Sequence, residues 1–209
     1  MDRRKFLKVS SGSIAIGAFG LSSPASALLN CSMFNFQGIQ QCEAGIDSGL
    51  AHVTAASVGG QHMSQWCWAA CIEMVFRYYG LHVPQAVIVH QTWGNIVDLP
   101  GQPHQILGNL NRPWIDSSGR GFYVSGDAFS ANPITAAQDL SNNMPLIIGT
   151  MGHAMVLTSL QYVRDQYGQG NVTAAVVRDP WPGSGGRRTL SAQEWYNTSF
   201  LARIRVAPV

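Results

Sequence analysis

Residues 61–80, QHMSQWCWAACIEMVFRYYG, hold the reading on which the fold turns. From Ser64 onward the run has helical periodicity. Trp68, Ile72, Val75, Phe76 and Tyr79 recur at i, i+4, i+7, i+8 and i+11, one face of a helix. Cys67, Cys71 and Met74 widen that face, so most of the helix is expected to be buried. Ser64 is the expected N-cap and Gly80 the expected stop. Cys67 therefore falls in the first turn. Free N–H groups and the helix dipole favour an anion there, and a thiolate is the nucleophilic form of cysteine. Position alone leaves Cys67 open between a nucleophile and a buried structural cysteine, since cysteine is among the most commonly buried residues. Cys71, one turn deeper, reads as structural.

A nucleophilic thiolate needs a base, and the base needs an orienting group. Of the six histidines, His153 is set apart by its context. It stands in GHAMVLTSL, a strand-forming run that follows the apolar PLIIGTM. His82 and His90 flank an amphipathic stretch and read as helix-surface residues. His62 is close to Cys67 in sequence but need not face the thiol. Residues 153–164 and 173–179 read as strands joined by the polar loop DQYGQGN. Antiparallel pairing sets residues symmetric about such a loop side by side. His153 and Asp179 are symmetric about position 166, near the loop's middle, which makes Asp179 the expected neighbour of His153. Without His153, Asp179-Pro180 would read as a turn.

Together these residues resemble the papain-like cysteine peptidases. The resemblance rests on Gln61, Cys67-Trp68, Gly152-His153-Ala154 and Asp179-Pro180-Trp181, in that order. The CWAA form is similar to the short bacterial branch that includes staphopains and secreted effector peptidases. The likeness covers about residues 61–209. It implies an α+β papain-like fold, in which a helical half carrying the nucleophile packs on an antiparallel sheet or barrel half. It further implies Cys67 as nucleophile, His153 as general base and acid, and Asp179 as the group that holds the imidazole. By the same resemblance, the Gln61 side chain and the Cys67 N–H would form the oxyanion hole. Trp181 would shield the His–Asp contact, with Trp68 in support. Gln65 competes with Gln61, but its spacing does not match the family's. Most larger members carry Asn where Asp179 stands.

The rest of the chain supplies context. Residues 1–27 read as a twin-arginine export signal: Arg3-Arg4 with Phe6-Leu7-Lys8, a short apolar stretch, then Ala25-Ser26-Ala27 as a cleavage site. The apolar stretch is too short and glycine-rich for a membrane anchor, which takes about 20 apolar residues. Removing the signal takes away Arg3, Arg4, Lys5, Lys8 and Asp2, turning the formal charge of +2 negative. No basic patch then argues for nucleic acid. Residues 28–60 read as an N-terminal extension with poor periodicity. Within it Cys31 and Cys42 are the candidate disulfide after export, and closing so short a loop would stabilise by roughly 2–3 kcal/mol. Residues 61–209 form the expected catalytic domain.

Helices are expected over 82–93, opened by Pro84 and ended by Gly94, and over 134–143, with a short one possible in 99–112. Strands are expected at GFYVSG, PLIIGTM, VTAAVVRDP and FLARIRV. Helices first and strands later agree with α+β. Cys67-x-x-x-Cys71 has no second ligand pair, so neither a metal nor a cofactor is expected. The overall expectation is an exported, periplasmic or extracellular bacterial peptidase acting on a peptide or protein. It would work through a thioester acyl-enzyme, and any proteinaceous inhibitor is unspecified. The alternatives are an acyltransferase or amidase with the same triad, a non-catalytic binding module on the same fold, and a peptidase for double-glycine leader peptides. Against the last stand the export signal and the missing transporter segments. Replacing Arg3 and Arg4 by Lys should block export, and exported protein should begin at Leu28. N-terminal sequencing that finds Met1 would overturn this reading.

Overall fold

The computed structural model describes residues 27–129, 132–184 and 186–208. The export signal read over 1–27 lies outside the described residues except for Ala27. The chain opens with strands β1 (Leu28–Cys31) and β2 (Ile39–Gly45). Four helices follow: α1 (Ser48–Val58), α2 (Cys67–Tyr78), α3 (Gln85–Trp93) and α4 (Pro103–Asn109). Then come β3 (Arg112–Ile115), β4 (Gly121–Ala128), helix α5 (Pro133–Ser141) and β5 (Leu146–Thr150). The chain continues through β6 (His153–Asp165), β7 (Gly170–Arg178), β8 (Arg187–Thr189), α6 (Ala192–Tyr196) and β9 (Thr198–Pro208). The fold is mixed α/β with one large antiparallel sheet.

The sheet is built around β6. One edge of β6 pairs first with β5, from His153 to Leu157, and then with β2, from Ser159 to Asp165. Its other edge pairs with β7, which carries β8. Beyond β5 the order runs through β9 and β4 to β3. Successive residues of a strand face opposite sides, and here both sides are covered. Ile147, Ala154, Val156, Ala202 and Ile204 share one core with Trp68, Ile72, Val75 and Phe76 of α2. Leu146, Ile148, Met155 and Leu157 share the other with Ala136, Ala137 and Leu140 of α5. That is why PLIIGTM and HAMVL read as continuous apolar runs rather than alternating ones. Phe76 anchors the far end of the first core, with its ring edge-on to Trp114 at 5.7 Å and to Phe122 at 5.2 Å.

Two boundaries differ from the sequence reading. Helix α2 begins at Cys67, not after Ser64, and its N-cap position is Trp66 with no side-chain cap. The Ser64 hydroxyl is spent elsewhere, donating to Asp98 Oδ2 at 2.7 Å. The helix ends at Tyr78, with Gly80 just beyond at φ 74°. Residues 28–60, read as an aperiodic extension, supply β1, β2 and α1, and β2 is integral to the sheet. Asp47 caps α1, accepting from the Leu50 N–H at 2.6 Å, but its Ala, Ser and Thr residues give little periodic signal.

Cys31 and Cys42 face each other across β1 and β2 and are disulfide-bonded, with Cα atoms 4.1 Å apart. Cys67 and Cys71 are free. The Cys31→Ser/Cys42→Ser double variant should lose about 2–3 kcal/mol in urea unfolding, with a cooperative transition preserved. A loss below about 0.5 kcal/mol would mean that the bond adds nothing to the constraint already given by β1–β2 pairing.

Candidate active site

Cys67 is the first residue of α2, where backbone N–H groups lack partners within the helix. The loop leading to it is held from several sides. The Gln61 N–H donates to the Pro180 carbonyl at 2.8 Å. The His62 N–H donates to Gln85 Oε1 at 3.0 Å, and Gln85 Nε2 donates back to the Gly60 carbonyl at 2.9 Å. The Gln65 N–H donates to Asp98 Oδ1 at 2.8 Å. Gly60 has φ 102°, and a Cβ there would stand 2.9 Å from the Pro180 carbonyl oxygen. Glycine at 60 thus lets the loop before Cys67 lie against the segment after Asp179. The paired tryptophans fix the other side: Trp66 Nε1 donates to the Val97 carbonyl at 2.8 Å, Trp68 Nε1 to the Leu99 carbonyl at 3.2 Å.

His153 is the first residue of β6. It follows a two-residue hairpin turn, Met151-Gly152, whose φ values of 50° and 80° are both positive, as the turn that matches strand twist requires. The turn sets the imidazole at the rim of the sheet. Its Nε2 lies 2.7 Å from Asp179 Oδ1, and Cys67 borders the same cleft. Burial pulls the imidazole pKa down. The hydrogen-bonded Asp179 carboxylate, with Cys67 nearby, outweighs that and pushes it up to about 9.

Asp179 follows the end of β7. The pairs Arg164–Gly170 and Val156–Arg178 are both symmetric about position 167, one residue from the sequence reading, with bulges between them. That register sets Asp179 opposite Met155, so that His153 is a diagonal neighbour on the same face. The carboxylate is only 6% exposed, yet every side of it is used. Oδ1 also accepts from the Trp181 N–H at 2.9 Å, and Oδ2 accepts from Arg188 Nε at 2.6 Å. Burial pushes the carboxyl up, but hydrogen bonds from His153 and Arg188 bring it down to about 2. Arg188 in turn donates to Glu194 Oε1 at 2.8 Å, and chiefly through that bond Glu194 falls to about 2.

The other expected residues divide. Trp181 stands edge-on to His153 with ring centres 6.1 Å apart and is 53% exposed, so it walls the imidazole rather than covering it. Gln61 is buried. Its Nε2 donates to the Met63 carbonyl at 2.9 Å and to the Ser64 carbonyl at 2.8 Å, so both amide hydrogens serve the loop rather than the cleft. Gln65, set aside on spacing, is the exposed amide that borders the cleft beside Cys67. Cys71 is fully buried, and burial followed by the charge of Cys67 raises its thiol well above the ordinary range. Arg188 was missed because it lies in the polar stretch WPGSGGRR, read as a loop. The Ser191–Glu194 capping box, a signature legible in SAQE, marks the helix that anchors it.

The cleft has two parts. One, of about 450 Å³, is bordered by Ser64, Gln65, Cys67, His153 and Trp181. The other, of about 330 Å³, extends from Cys67 and His153 over Trp68, Gly101, Thr150 and Phe200 and presents uncharged side chains there. A Cβ at Gly101 would stand 2.4 Å from the Trp68 ring, so the chain crosses the indole directly. Among the described residues no group of three or more His, Cys, Asp or Glu is arranged to hold a metal ion.

No protein-family model matches the chain, and no curated protein matches it. Among solved structures, a double glycine motif protease from an AMS/PCAT transporter, in complex with the leader peptide, is similar at 18% identity and a TM-score of 0.43. The similarity covers 72% of this chain and 89% of that one. Nothing in it bears on the staphopain branch.

Arg188 reaches His153 only through Asp179, which makes it a positioning residue. In Arg188→Met the carboxylate loses its counter-charge, and its full field then falls on the imidazole. The His153 pKa should rise above about 9, by roughly half a unit or more. Asp179→Asn should move it the opposite way, and Arg188→Lys should hold it near the parent value. NMR titration of His153 in the folded variants checks this. An unmoved His153 in Arg188→Met would reduce Arg188 to a structural tie.

Proposed function

We propose that the chain is a papain-like cysteine peptidase that cleaves peptide bonds through a thioester acyl-enzyme. One observation carries this reading: His153, which stands beside Cys67 at the cleft, is hydrogen-bonded to the buried Asp179 carboxylate at 2.7 Å. The three groups border one open cleft. A nucleophile, a base within its reach and a group that orients the base are what covalent acyl transfer requires.

In the proposed reaction the Cys67 sulfur attacks the scissile carbonyl carbon, and the carbonyl oxygen takes up the negative charge. Unpartnered N–H groups at the start of α2, that of Cys67 included, stabilise that charge. His153, held protonated by the Asp179 carboxylate, gives its proton to the leaving amine as the C–N bond breaks. Water then enters, loses a proton to His153 and cleaves the thioester. The carboxylate product departs, and the thiolate–imidazolium pair is restored. Asp179 holds the ring throughout and remains ionised. Gln61 contributes by fixing the loop that delivers Cys67, through the carbonyls of Met63 and Ser64.

The substrate is a peptide or protein, taken with an uncharged side chain in the part of the cleft over Trp68. The Cys31–Cys42 disulfide supports an exported, oxidising location. No helix among the described residues is long and apolar enough to cross a membrane.

Treatment with an epoxide-type thiol inhibitor should leave one adduct, on Cys67, found by mass spectrometry. Cys67→Ala should abolish peptide hydrolysis and His153→Ala nearly so, with circular dichroism unchanged. Asp179→Ala should cost less, on the order of 10² in rate, equivalent to about 2.7 kcal/mol of barrier. Cys71→Ser should keep the chemistry and lose stability, because it puts a hydroxyl into a fully buried site. A folded Cys67→Ala that hydrolyses at the parent rate would end this assignment.

A further inference from the structure

The ends of β7 and β8 carry three arginines, and Asp179 accounts for one of them. Adjacent residues on a strand face opposite sides. Arg188 points toward Asp179, while Arg178 and Arg187, direct partners in the β7–β8 pairing, share the other side. Like charges directly opposite one another destabilise a sheet. Among the described residues neither guanidinium has a carboxylate within ion-pair distance. Arg187 is exposed and can rely on water, but Arg178 is only 7% exposed. Its Nε is buried without a hydrogen-bond partner. Burial and the facing Arg187 pull its guanidinium below the ordinary value. Buried charges in proteins are as a rule paired.

Arg178 borders a cleft of about 440 Å³ between α1 and the segment after β7. His52, Ala55, Gly59, Gly60 and Trp181 are among the residues that line it. Asp179 also touches this cleft, but its carboxylate is committed to His153, the Trp181 N–H and Arg188. The polar side chains left to the cleft are those of Arg178, His52 and Trp181.

We propose that this cleft binds a small oxyanion, a phosphate or a carboxylate, held by the Arg178 guanidinium, with His52 in the lining and Arg187 facing Arg178 from β8. A planar guanidinium presents paired N–H donors that match two oxygens of such a group. The anion supplies the counter-charge that the chain withholds from Arg178, and it relieves the Arg178–Arg187 repulsion. Trp181 borders both this cleft and that of Cys67, so the carboxylate terminus of a peptide can reach it as well as free phosphate can. The site stands independently of the reaction proposed for Cys67, and thiol labelling of Cys67 is unaffected by its failure.

Calorimetric titration of the parent protein with inorganic phosphate, with acetyl-dialanine and with acetyl-dialanine amide tests this, at constant ionic strength held by sodium chloride. Saturable binding is expected for phosphate or for the free-acid peptide, and none for the amide. Phosphate alone identifies a free anion as the source, and the free-acid peptide identifies a chain terminus. Arg178→Met should weaken binding at least tenfold and Arg187→Met several-fold. In the same chloride buffer without phosphate or carboxylate, Arg178→Met should unfold at the parent temperature or above, since an uncompensated charge has been replaced by an apolar group of similar size. Absence of saturable binding by either probe overturns the proposal, as does binding that both variants leave unchanged. If Arg178→Met fails to fold, Arg187→Met decides: parent-like binding overturns the site, and weakened binding upholds it.

Discussion

A buried carboxylate must be balanced, and the balancing of Asp179 organises this end of the molecule. At 6% exposure it could not stay ionised alone, since a desolvated charge is costly unless it is paired and hydrogen-bonded. Its partners come from different elements: His153 from the start of β6, Arg188 from β8, and the Trp181 N–H from the loop between β7 and β8. Glu194 on α6 holds Arg188 in turn. Signs alternate along the line from Glu194 through Arg188 and Asp179 to His153. Each charge is set against an opposite one at hydrogen-bonding distance, and the line ends at Cys67. The pKa directions follow. Both carboxyls are held near 2, and the imidazole is held near 9. Asp179 therefore stabilises the fold above its ordinary 3.8, a contribution lost as pH falls through about 2. His153 stabilises it fully below 6.5, a contribution lost as pH rises through about 9.

The remainder of the fold serves to bring that line to the first turn of α2. A sheet covered on both faces fixes which side each residue of β6 and β7 presents, because a one-residue slip would exchange the two cores. The tight turn at Met151-Gly152 stops β5 and starts β6 at the histidine itself. Gly60 lets the loop before Cys67 touch the Pro180 carbonyl, so that loop and the segment after Asp179 are one packed unit. The position of Cys67 is thus set by backbone contacts, while the charges are set by side chains. Gln61, Gln85 and Asp98 all act on the first of these, through main-chain groups of residues 60–65.

Much of this was legible in the chain. The helix that carries Cys67, though not its first residue, the strand from His153, and α3 between Pro84 and Gly94 all follow from local periodicity and stop signals. Even the neighbour relation of His153 and Asp179 came from counting about a hairpin, because pairing there is set by a short loop. Non-local pairing was not legible. Strand β2 pairs with residues more than a hundred positions away, and nothing in IQQCEAG announces a strand of an inner sheet. Gln61 illustrates another limit. Spacing places a glutamine near a cysteine but does not say whether its amide faces substrate or its own loop. Arg188 illustrates a third, since an arginine in a glycine-rich stretch carries no sign of the carboxylate it will meet.

An aspartate rather than an asparagine at 179 has a structural consequence. An asparagine could orient an imidazole without adding charge and would need no arginine behind it. An aspartate adds a negative charge that strengthens the imidazolium, but in a dry site it requires a cation that does not compete for the same oxygen. Arg188 meets that condition by binding Oδ2 and leaving Oδ1 to His153 and the Trp181 N–H. Lysine would be a poorer choice, because a point charge on a flexible stem does not fix which oxygen it takes. Asp179 and Arg188 are in this sense one device, and Glu194 completes it by fixing the guanidinium plane. Arg178, one residue before Asp179 and facing the other way, has no such partner in the described chain. The contrast between the two neighbouring arginines shows that the fold can neutralise a buried charge where the line to His153 requires it. It leaves the other one open to solvent-borne anions through the cleft beside α1.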